Sequence, residues 1–329
     1  MPFLPQELSP RRVSILMNTP RMALDLTGMK IAVLMGGPGS ERKVSHATGA
    51  GVASALRKLG AEVTEVDVTD GDFVLPPGVE LAFNAIHGTF GEDGQVQRIL
   101  ESRGVKYTGE GVTGSELAID KIASKQRFVE RGVPTPAFEI LASGARPTLA
   151  VPFVVKAPRE GSSVGVYIVK TEAEIESSLA EARKYASELL VEQFVEGREL
   201  TVGIIGDMAL PVIEIVAKKD FYNFENKYPF LNPNAAGADH FCPAPIGEAA
   251  TLLVQQTALA AHRALGLEVY SRVDVLLTKS GEPFVLEVNT IPGMTSSSLL
   301  PEAAAVAGQS YEQLCARIVE LSLHRPSAK

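Results

Sequence analysis

Short apolar runs alternate with amphipathic segments along most of the chain, beginning at Lys30. The runs KIAVLMG, AEVTEVDV and LAFNAIH are typical of strands, whereas segments 44–59 and 94–103 have helical spacing. Gly60 follows the first of these helices, where a glycine suits the helix C-terminus. Alternating strands and helices favour a parallel sheet covered on both faces. We therefore predict an α/β domain with ligands beyond the carboxyl ends of its strands, near the loops GGPGSER and HGTFGEDG.

A second unit begins near residue 115. A helix is predicted over 115–131, followed by the strands PFVVKAP and VYIVK. The loop REGSSVG joins these strands, which predicts an antiparallel hairpin with a movable loop. The sequence TEAE at Thr171 is a capping-box signature and predicts a helix start. The strands LLVEQFV and RELTVGII complete the unit.

The remainder of the chain contains an irregular tract, FYNFENKYPFLNPNAAGADHF, and then a helix over 247–265, a hairpin, and a last helix from Tyr311. Irregular tracts this long are usually functional lids or disordered. We interpret residues 1–28 as a loose N-terminal extension or a misassigned start, or alternatively a transit peptide. Three domains should follow it, at 29–114, 115–206 and 207–329.

The hairpin after the 247–265 helix has the most specific chemistry. Asp274 lies in the run VYSRVDVLLT, and Glu287 and Asn289 end the run PFVLEVN. Residues two apart on a strand share a face, and a hairpin can bring Asp274 beside the other two. Two carboxylates and an amide oxygen are hard ligands suited to Mg²⁺. The alternative is a solvated hairpin with Leu286 and Val288 on its inner face.

Phosphate binding is indicated by the loop REGSSVG and by two lysines. The loop offers backbone amides and hydroxyls at Gly161, Ser162 and Ser163, although no Walker-type sequence is present and GGPGSER lacks dinucleotide-fingerprint spacing. Lys121 and Lys156 lie in apolar surroundings, where a buried ammonium needs an anion. Ordinary lysines with buried stems and solvated heads are the alternative.

The sequence VEQFVEGREL carries Glu192 and Glu199 around a short apolar segment. Backbone groups there could contact the adenine edge, and a carboxylate could accept hydrogen bonds from ribose hydroxyls. An exposed turn with two surface acids is the alternative.

Composition excludes several classes of protein. The net charge of −8 and pI of about 5.3 disfavour nucleic-acid and anionic-membrane surfaces. Cys242 and Cys315 are the only cysteines, which indicates no disulfide framework and no zinc pattern. No apolar run approaches the roughly 20 residues that span a bilayer. A cytoplasmic location is expected.

Together these motifs resemble the D-alanine–D-alanine ligases, a family of ATP-grasp carboxylate–amine ligases. The resemblance extends from Lys30 to Leu321. It rests on motifs that occur in the family's order, namely GGPGSERKVS, HGTFGEDG, DKIASK, VKAPREGSSVG, EQFVEGRELTV, FYNFENKY, RVD, LEVNTIPGMTSSSL and GQSYEQL. It implies an ATP-grasp fold of three domains: an N-terminal parallel α/β domain, a central ATP-grasp lid domain and a C-terminal α+β catalytic domain.

The resemblance also implies an activity and a set of partners. Two D-alanine molecules would be joined through an acylphosphate for peptidoglycan precursor synthesis, with ATP and two Mg²⁺ ions, Mn²⁺ being a possible substitute. A homodimer is expected, with no nucleic-acid or membrane partner.

Residue roles follow from the matched motifs. The nucleotide contacts implied are Lys121, Lys156 and Lys227 on phosphates, Ser162 in the flap, Glu192 and the backbone near Val195 on adenine, and Glu199 on ribose. The metal ligands implied are Asp274, Glu287 and Asn289. The substrate contacts implied are Glu41 on the first ammonium near His87, Arg272 and the Gly293 amide on the oxyanion, and Ser298 and the Leu299 amide on the second carboxylate.

Two alternatives remain at this point. A ligase of the same fold could join D-alanine to D-lactate, but in the family a tyrosine such as Tyr228, bonded towards Glu41 and Ser162, accompanies dipeptide activity. A non-catalytic nucleotide-binding module would be expected to lack ligands, yet Arg272 and the three metal candidates are all present.

Overall fold

The computed structural model describes residues 24–218 and 237–325. The predicted site residues Lys227 and Tyr228 lie outside this part of the chain.

The N-terminal layer is a parallel sheet with strand order β2-β1-β3-β4, as the alternating pattern predicts. Gly60 has a positive φ of 88° after the first helix, which suits the predicted helix end. The elements of this layer are β1 (Lys30–Gly36), α1 (Arg42–Lys58), β2 (Glu62–Val68), β3 (Leu81–Asn84), α2 (Gln95–Ser102) and β4 (Lys106–Tyr107).

Residues just before β1 pack against this layer. Leu26 is 1% exposed and belongs to the same apolar cluster as Ile31 and Leu56. The Gly28 amide donates to the Gly60 carbonyl at 3.0 Å. The expectation of a loose segment through residue 28 is therefore wrong for residues 24–28.

The single helix predicted over 115–131 is two helices, α3 (Val112–Ile119) and α4 (Lys121–Glu130). Asp120 separates them with an extended backbone, and its carboxylate accepts hydrogen bonds from the amides of Ile122 and Ala123. An aspartate in this position is a strong N-cap, so it starts a new helix instead of continuing the first one.

The second layer is an antiparallel sheet with strand order β5-β8-β6-β7. The predicted hairpin is β6 paired with β7, and the predicted capping box at Thr171 begins a short 3₁₀ turn that leads into α5. The elements are β5 (Phe138–Leu141), β6 (Phe153–Lys156), β7 (Val166–Val169), α5 (Ile175–Ala182) and β8 (Leu189–Gln193).

The third sheet has the order β12-β11-β9-β13-β14, with β10 beside β9. The strand RELTVGII lies here as part of β9, beside β13, although the sequence pattern grouped it with the central unit; the domain limits stay a prediction. The elements are β9 (Gly197–Ile205), β10 (Met208–Ala209), β11 (Ile213–Ala217), β12 (Ala238–Phe241), α6 (Glu248–Ala264), β13 (Tyr270–Thr278), β14 (Pro283–Asn289), α7 (Leu299–Val306) and α8 (Tyr311–His324).

Apolar clusters join these layers. One cluster links the parallel sheet to α7 and α8, and another packs α6 on the third sheet. Among the helices of the described residues, none combines the length and apolar character that crossing a bilayer requires.

Candidate active site

Two adjoining cavities lie where the three sheets meet. The smaller one, about 90 Å³, is lined by polar residues from all three layers, including Glu41, and the larger one, about 310 Å³, lies between the second and third sheets. Lys121, Glu160 and Glu287 line both cavities. A ligand in one cavity would therefore be in direct reach of a ligand in the other.

The β13–β14 hairpin forms part of the wall between the cavities. Asp274 is paired in register with Glu287, and Arg272 with Asn289, so these four side chains share one face. The prediction for Asp274, Glu287 and Asn289 is confirmed, and Arg272 joins them. The Asp274 and Glu287 side chains are only 13% and 24% exposed, which rules out the solvated-hairpin alternative. The pairing of β13 with β14 is irregular between Asp274 and Val275, so Leu286 has no partner on β13. Leu286 lines the larger cavity.

The carboxylates of the hairpin are held by nearby donors. Arg272 Nη2 lies 3.0 Å from Asp274 Oδ2, and Thr201 Oγ1 donates to Asp274 Oδ1 at 2.7 Å. Lys121 Nζ lies 3.2 Å from Glu287 Oε2. Thr201 was not predicted, because its role depends on β9 lying beside β13.

These oxygens fit a divalent cation. Asp274 and Glu287 face each other, and Asn289, two residues along β14, has a buried amide nitrogen with no hydrogen-bond partner. The oxygen and nitrogen of an amide exchange places by a half turn, so the Asn289 oxygen can serve as a ligand. Two carboxylates and an amide oxygen are a ligand set suited to Mg²⁺ or Mn²⁺.

The larger cavity is lined by both apolar and charged residues. Val154, Ile168 and Leu276 contribute apolar surface, and the predicted nucleotide residues Lys156, Glu192, Val195 and Glu199 line it as well. Lys156 Nζ donates to Glu192 Oε2 at 2.8 Å. A cleft that combines apolar surface with placed polar groups is typical of small-molecule and cofactor sites.

A second lysine, missed by the sequence reasoning, also contacts Glu192. The side chain of Lys125 on α4 is 0% exposed, and its Nζ lies 3.1 Å from Glu192 Oε1. The motif DKIASK contains this lysine, but a lysine on a helix is usually a surface residue.

The loop between β6 and β7 lies against the first layer. Ser162 Oγ donates to Oε1 of Glu41, the residue immediately before α1, at 2.6 Å. Lys121 Nζ donates to the carbonyl of Glu160, in the same loop as Ser162, at 2.8 Å. Ser162 and Ser163 have positive φ values of 52° and 63°, an uncommon conformation for residues other than glycine. The loop thus covers the smaller cavity, as expected for a flap.

His87 is a buried neutral group beside the smaller cavity. Its Nδ1 lies 2.9 Å from the Ile291 carbonyl, which requires a proton on Nδ1, and its Nε2 lies 2.8 Å from Thr48 Oγ1. Burial lowers the pKa of His87, and the Glu41 carboxylate opposes this only in part. His87 therefore supports the loop after β14 and does not carry charge at neutral pH.

Glu92, from the HGTFGEDG loop, lines the same cavity and was not assigned from the sequence. Its Oε1 accepts from the Gly88 amide at 2.8 Å. Burial raises the pKa of Glu92 to about 8, and the neighbouring Glu41 carboxylate adds to the effect. The cavity thus contains a carboxyl group that can exchange a proton near neutral pH.

The loop after β14 ends in polar donors at the start of α7. Ser298 precedes α7, and its hydroxyl accepts from the Thr295 amide at 3.0 Å. Leu299 is the first residue of α7, so its amide is one of the unpaired donors of a helix N-terminus, which favour a carboxylate. A Cβ on Gly293 would lie 2.7 Å from Ser298 Oγ, so a side chain there would disturb this site.

The structure brings together every predicted site residue that it describes. The smaller cavity is lined by Glu41, His87, Ser162, Arg272, Gly293, Ser298 and Leu299; the larger by Lys156, Glu192, Val195, Glu199 and Asp274; and Lys121, Glu287 and Asn289 line one or both.

Comparisons with known proteins agree with this geometry. A family model described as "D-ala D-ala ligase C-terminus" matches residues 132–320. The chain is 44% identical over 295 residues to a D-alanine–D-alanine ligase of Methylacidiphilum infernorum, covering 90% of this chain and 96% of the relative. It is 47% identical over 300 residues to one of Citrifermentans bemidjiense, covering 90% and 97%.

A solved structure is also similar. The D-alanine–D-alanine ligase from Bacillus anthracis complexed with ATP superposes with a TM-score of 0.78 at 34% identity, covering 90% of this chain and 97% of that chain. The α/β ATP-grasp fold expected from the sequence is thereby confirmed.

Proposed function

The chain belongs to the D-alanine–D-alanine ligase family, and we propose that it uses ATP to join two D-alanine molecules into D-alanyl-D-alanine, a precursor of peptidoglycan. One observation carries the proposal: a base-sized cleft and a small polar cavity share a wall that contains Lys121 and Glu287. A nucleotide in the cleft would place its terminal phosphate beside a carboxylate substrate in the cavity.

The reaction has two steps. The carboxylate of the first D-alanine attacks the γ-phosphorus of ATP, which gives an acylphosphate and ADP. The amine of the second D-alanine then attacks the acyl carbon, and phosphate leaves. Each step needs fixed positive charge near developing negative charge, which is an electrostatic and positional task.

Residues of the smaller cavity would bind and orient the two D-alanine molecules. Glu41 would hold the ammonium of the first D-alanine, with the flap hydroxyl of Ser162 on the same carboxylate. Arg272 and the Gly293 amide would stabilise the tetrahedral oxyanion. Ser298 and the Leu299 amide would bind the second carboxylate at the start of α7.

The nucleotide would be held along the larger cavity. Lys121 and Lys156 would contact its phosphates, Glu192 and the backbone near Val195 the adenine, and Glu199 the ribose. Asp274, Glu287 and Asn289 would hold two Mg²⁺ ions, which supply charge neutralisation for the phosphates. The flap would exclude water, which otherwise hydrolyses the acylphosphate.

The decisive measurement is ADP release from ATP and Mg²⁺ with D-alanine, L-alanine, or D-alanine plus D-lactate, with product identification. D-alanine-dependent ADP release and a dipeptide product support the proposal. ADP release that does not depend on D-alanine would contradict it. A depsipeptide as the main product would instead support the alternative acceptor, which the dipeptide-ligase names of the relatives do not favour.

We further propose that the protein acts as a homodimer without a nucleic-acid or membrane partner. The acidic net charge of −8 supports the absence of polyanion binding. Light scattering during size-exclusion chromatography would test the dimer, and a monomer mass at assay concentration would contradict it.

A further inference from the structure

Lys125 is a buried cation next to the nucleotide cleft but not part of its lining. Its Nζ donates to Thr135 Oγ1 at 2.5 Å and lies 3.1 Å from Glu192 Oε1. The Phe138 ring lies beneath it, with the centroid 5.8 Å from Nζ. The side chain is 0% exposed, so these partners and not solvent satisfy its ammonium.

Glu192 therefore lies between two ammonium groups. Lys125 contacts Oε1, and Lys156 contacts Oε2 at 2.8 Å. Lys156 lines the cleft, where nucleotide phosphates would compete for it, whereas Lys125 is out of reach of a ligand. A nucleotide that engaged Lys156 would leave Lys125 as the cation paired with Glu192.

The charge of Glu192 matters for base recognition. Burial alone would raise the pKa of this carboxyl, but the neighbouring Lys125 and Lys156 ammonium groups bring it below its ordinary value. An ionised carboxylate only accepts hydrogen bonds, whereas a protonated one also donates. Adenine presents a donor, its 6-amino group, where a 6-oxopurine such as hypoxanthine presents an acceptor.

We infer that Lys125 is a positioning residue that makes the enzyme select adenine over 6-oxopurine nucleotides, because it keeps Glu192 ionised and fixed in the cleft wall. This inference rests on the proposed function and adds a determinant of nucleotide specificity to it. Lys125 acts only through Glu192 and touches neither the nucleotide nor D-alanine.

Burying the Lys125 ammonium costs free energy, which a role in positioning Glu192 would explain. Burial lowers the pKa of its ammonium to about 8, although the Glu192 carboxylate opposes the shift. Replacing a complete buried ion pair with apolar residues is often neutral or stabilising. A lysine here is therefore better explained by what it does to Glu192 than by its contribution to packing.

The test compares ATP with inosine triphosphate as the phosphoryl donor in the D-alanine-dependent assay. In Lys125→Met we expect the ratio of kcat/KM for ATP to kcat/KM for inosine triphosphate to fall at least tenfold. The KM for D-alanine should stay within twofold of the wild-type value. Lys58→Met, which removes an exposed ion pair with Glu312, is the matched control and should keep the wild-type ratio.

A second pair of variants covers the case in which Lys125→Met leaves Glu192 with Lys156 as its single cationic partner and the protein does not fold. Glu192→Gln removes the carboxylate charge that Lys125 is inferred to maintain. Adding Lys125→Met to Glu192→Gln should therefore cause no further change in the ratio of kcat/KM for ATP to kcat/KM for inosine triphosphate. An unchanged ratio in Lys125→Met, or a further tenfold change in the double variant, would overturn the inference. Failure of the proposed function looks different, since the wild-type protein would then show no D-alanine-dependent turnover with ATP.

Discussion

Ser162 Oγ donates to Glu41 Oε1 at 2.6 Å, and this bond joins the β6–β7 loop to the beginning of α1. The two residues are far apart in the sequence, on different layers of the fold. A hydrogen bond to a charged group contributes about 1.5–3 kcal/mol, so the bond is strong enough to influence whether the flap is closed.

We expect Ser162→Ala to lower kcat/KM for D-alanine by about 10- to 100-fold, because about 1.5–3 kcal/mol of closure energy is lost. ADP release without dipeptide formation should increase, since an open flap admits water to the acylphosphate. Ser162→Gly is the matched control for backbone strain at the positive φ of this residue. If Ser162→Gly keeps the wild-type kcat/KM for D-alanine, the Ser162 hydroxyl does not contribute to closure of the flap.

Glu287→Gln should abolish ligation while leaving the fold intact. Loss of an outer partner of a metal ligand already costs about 10- to 100-fold in affinity or activity, so the loss of a ligand carboxylate should cost more. The readout is D-alanine-dependent ADP release at saturating Mg²⁺, with Glu282→Gln in the exposed turn of the same hairpin as control. Near-normal activity of Glu287→Gln would remove this residue from the metal site.

Gly293→Ala should weaken binding at the second substrate site. The new Cβ would lie 2.7 Å from Ser298 Oγ, so this hydroxyl would have to leave its bonds with Thr295. Loss of one hydrogen bond, about 1 kcal/mol, corresponds to roughly a fivefold rise in the KM for the acceptor D-alanine. Gly111→Ala, where a Cβ meets no atom within 4 Å, should leave this KM unchanged. Equal KM values for the two variants would argue against the proposed carboxylate site.

His262 should make stability depend on pH. Burial between α6 and β13 lowers the pKa of this imidazole from 6.5 to about 4. Above pH 6.5 the group is neutral in both the folded and the unfolded state. As the pH falls from 6.5 to 4, His262 binds a proton in the unfolded state but stays neutral in the folded state. The free energy of unfolding therefore decreases by up to about 3 kcal/mol.

The measurement is urea unfolding at several pH values between 7 and 4 for the wild type and His262→Gln. The difference in free energy of unfolding between the two proteins should shift in favour of the variant as the pH decreases. If the free energy of unfolding changes with pH in the same way in both proteins, His262 has the same pKa in the folded and the unfolded state.

Local sequence patterns determined most of the elements of this protein. Strands and helices of the first layer, the β6–β7 hairpin, and the face shared by Asp274, Glu287 and Asn289 follow from side-chain alternation and turn residues. These signals act between residues close in the sequence. The same is true of the Asp120 cap, whose signal was present in the sequence although a single helix was predicted there.

Only the tertiary structure decided which distant segments meet. The placement of β9 beside β13, the burial of Lys125 against Glu192, and the support of His87 by Thr48 each join residues from separate elements. The charge state of a group such as Glu92 is likewise set by how deeply neighbouring elements bury it. Non-local pairing and burial arise from the packing of whole layers, and no window of sequence contains that information.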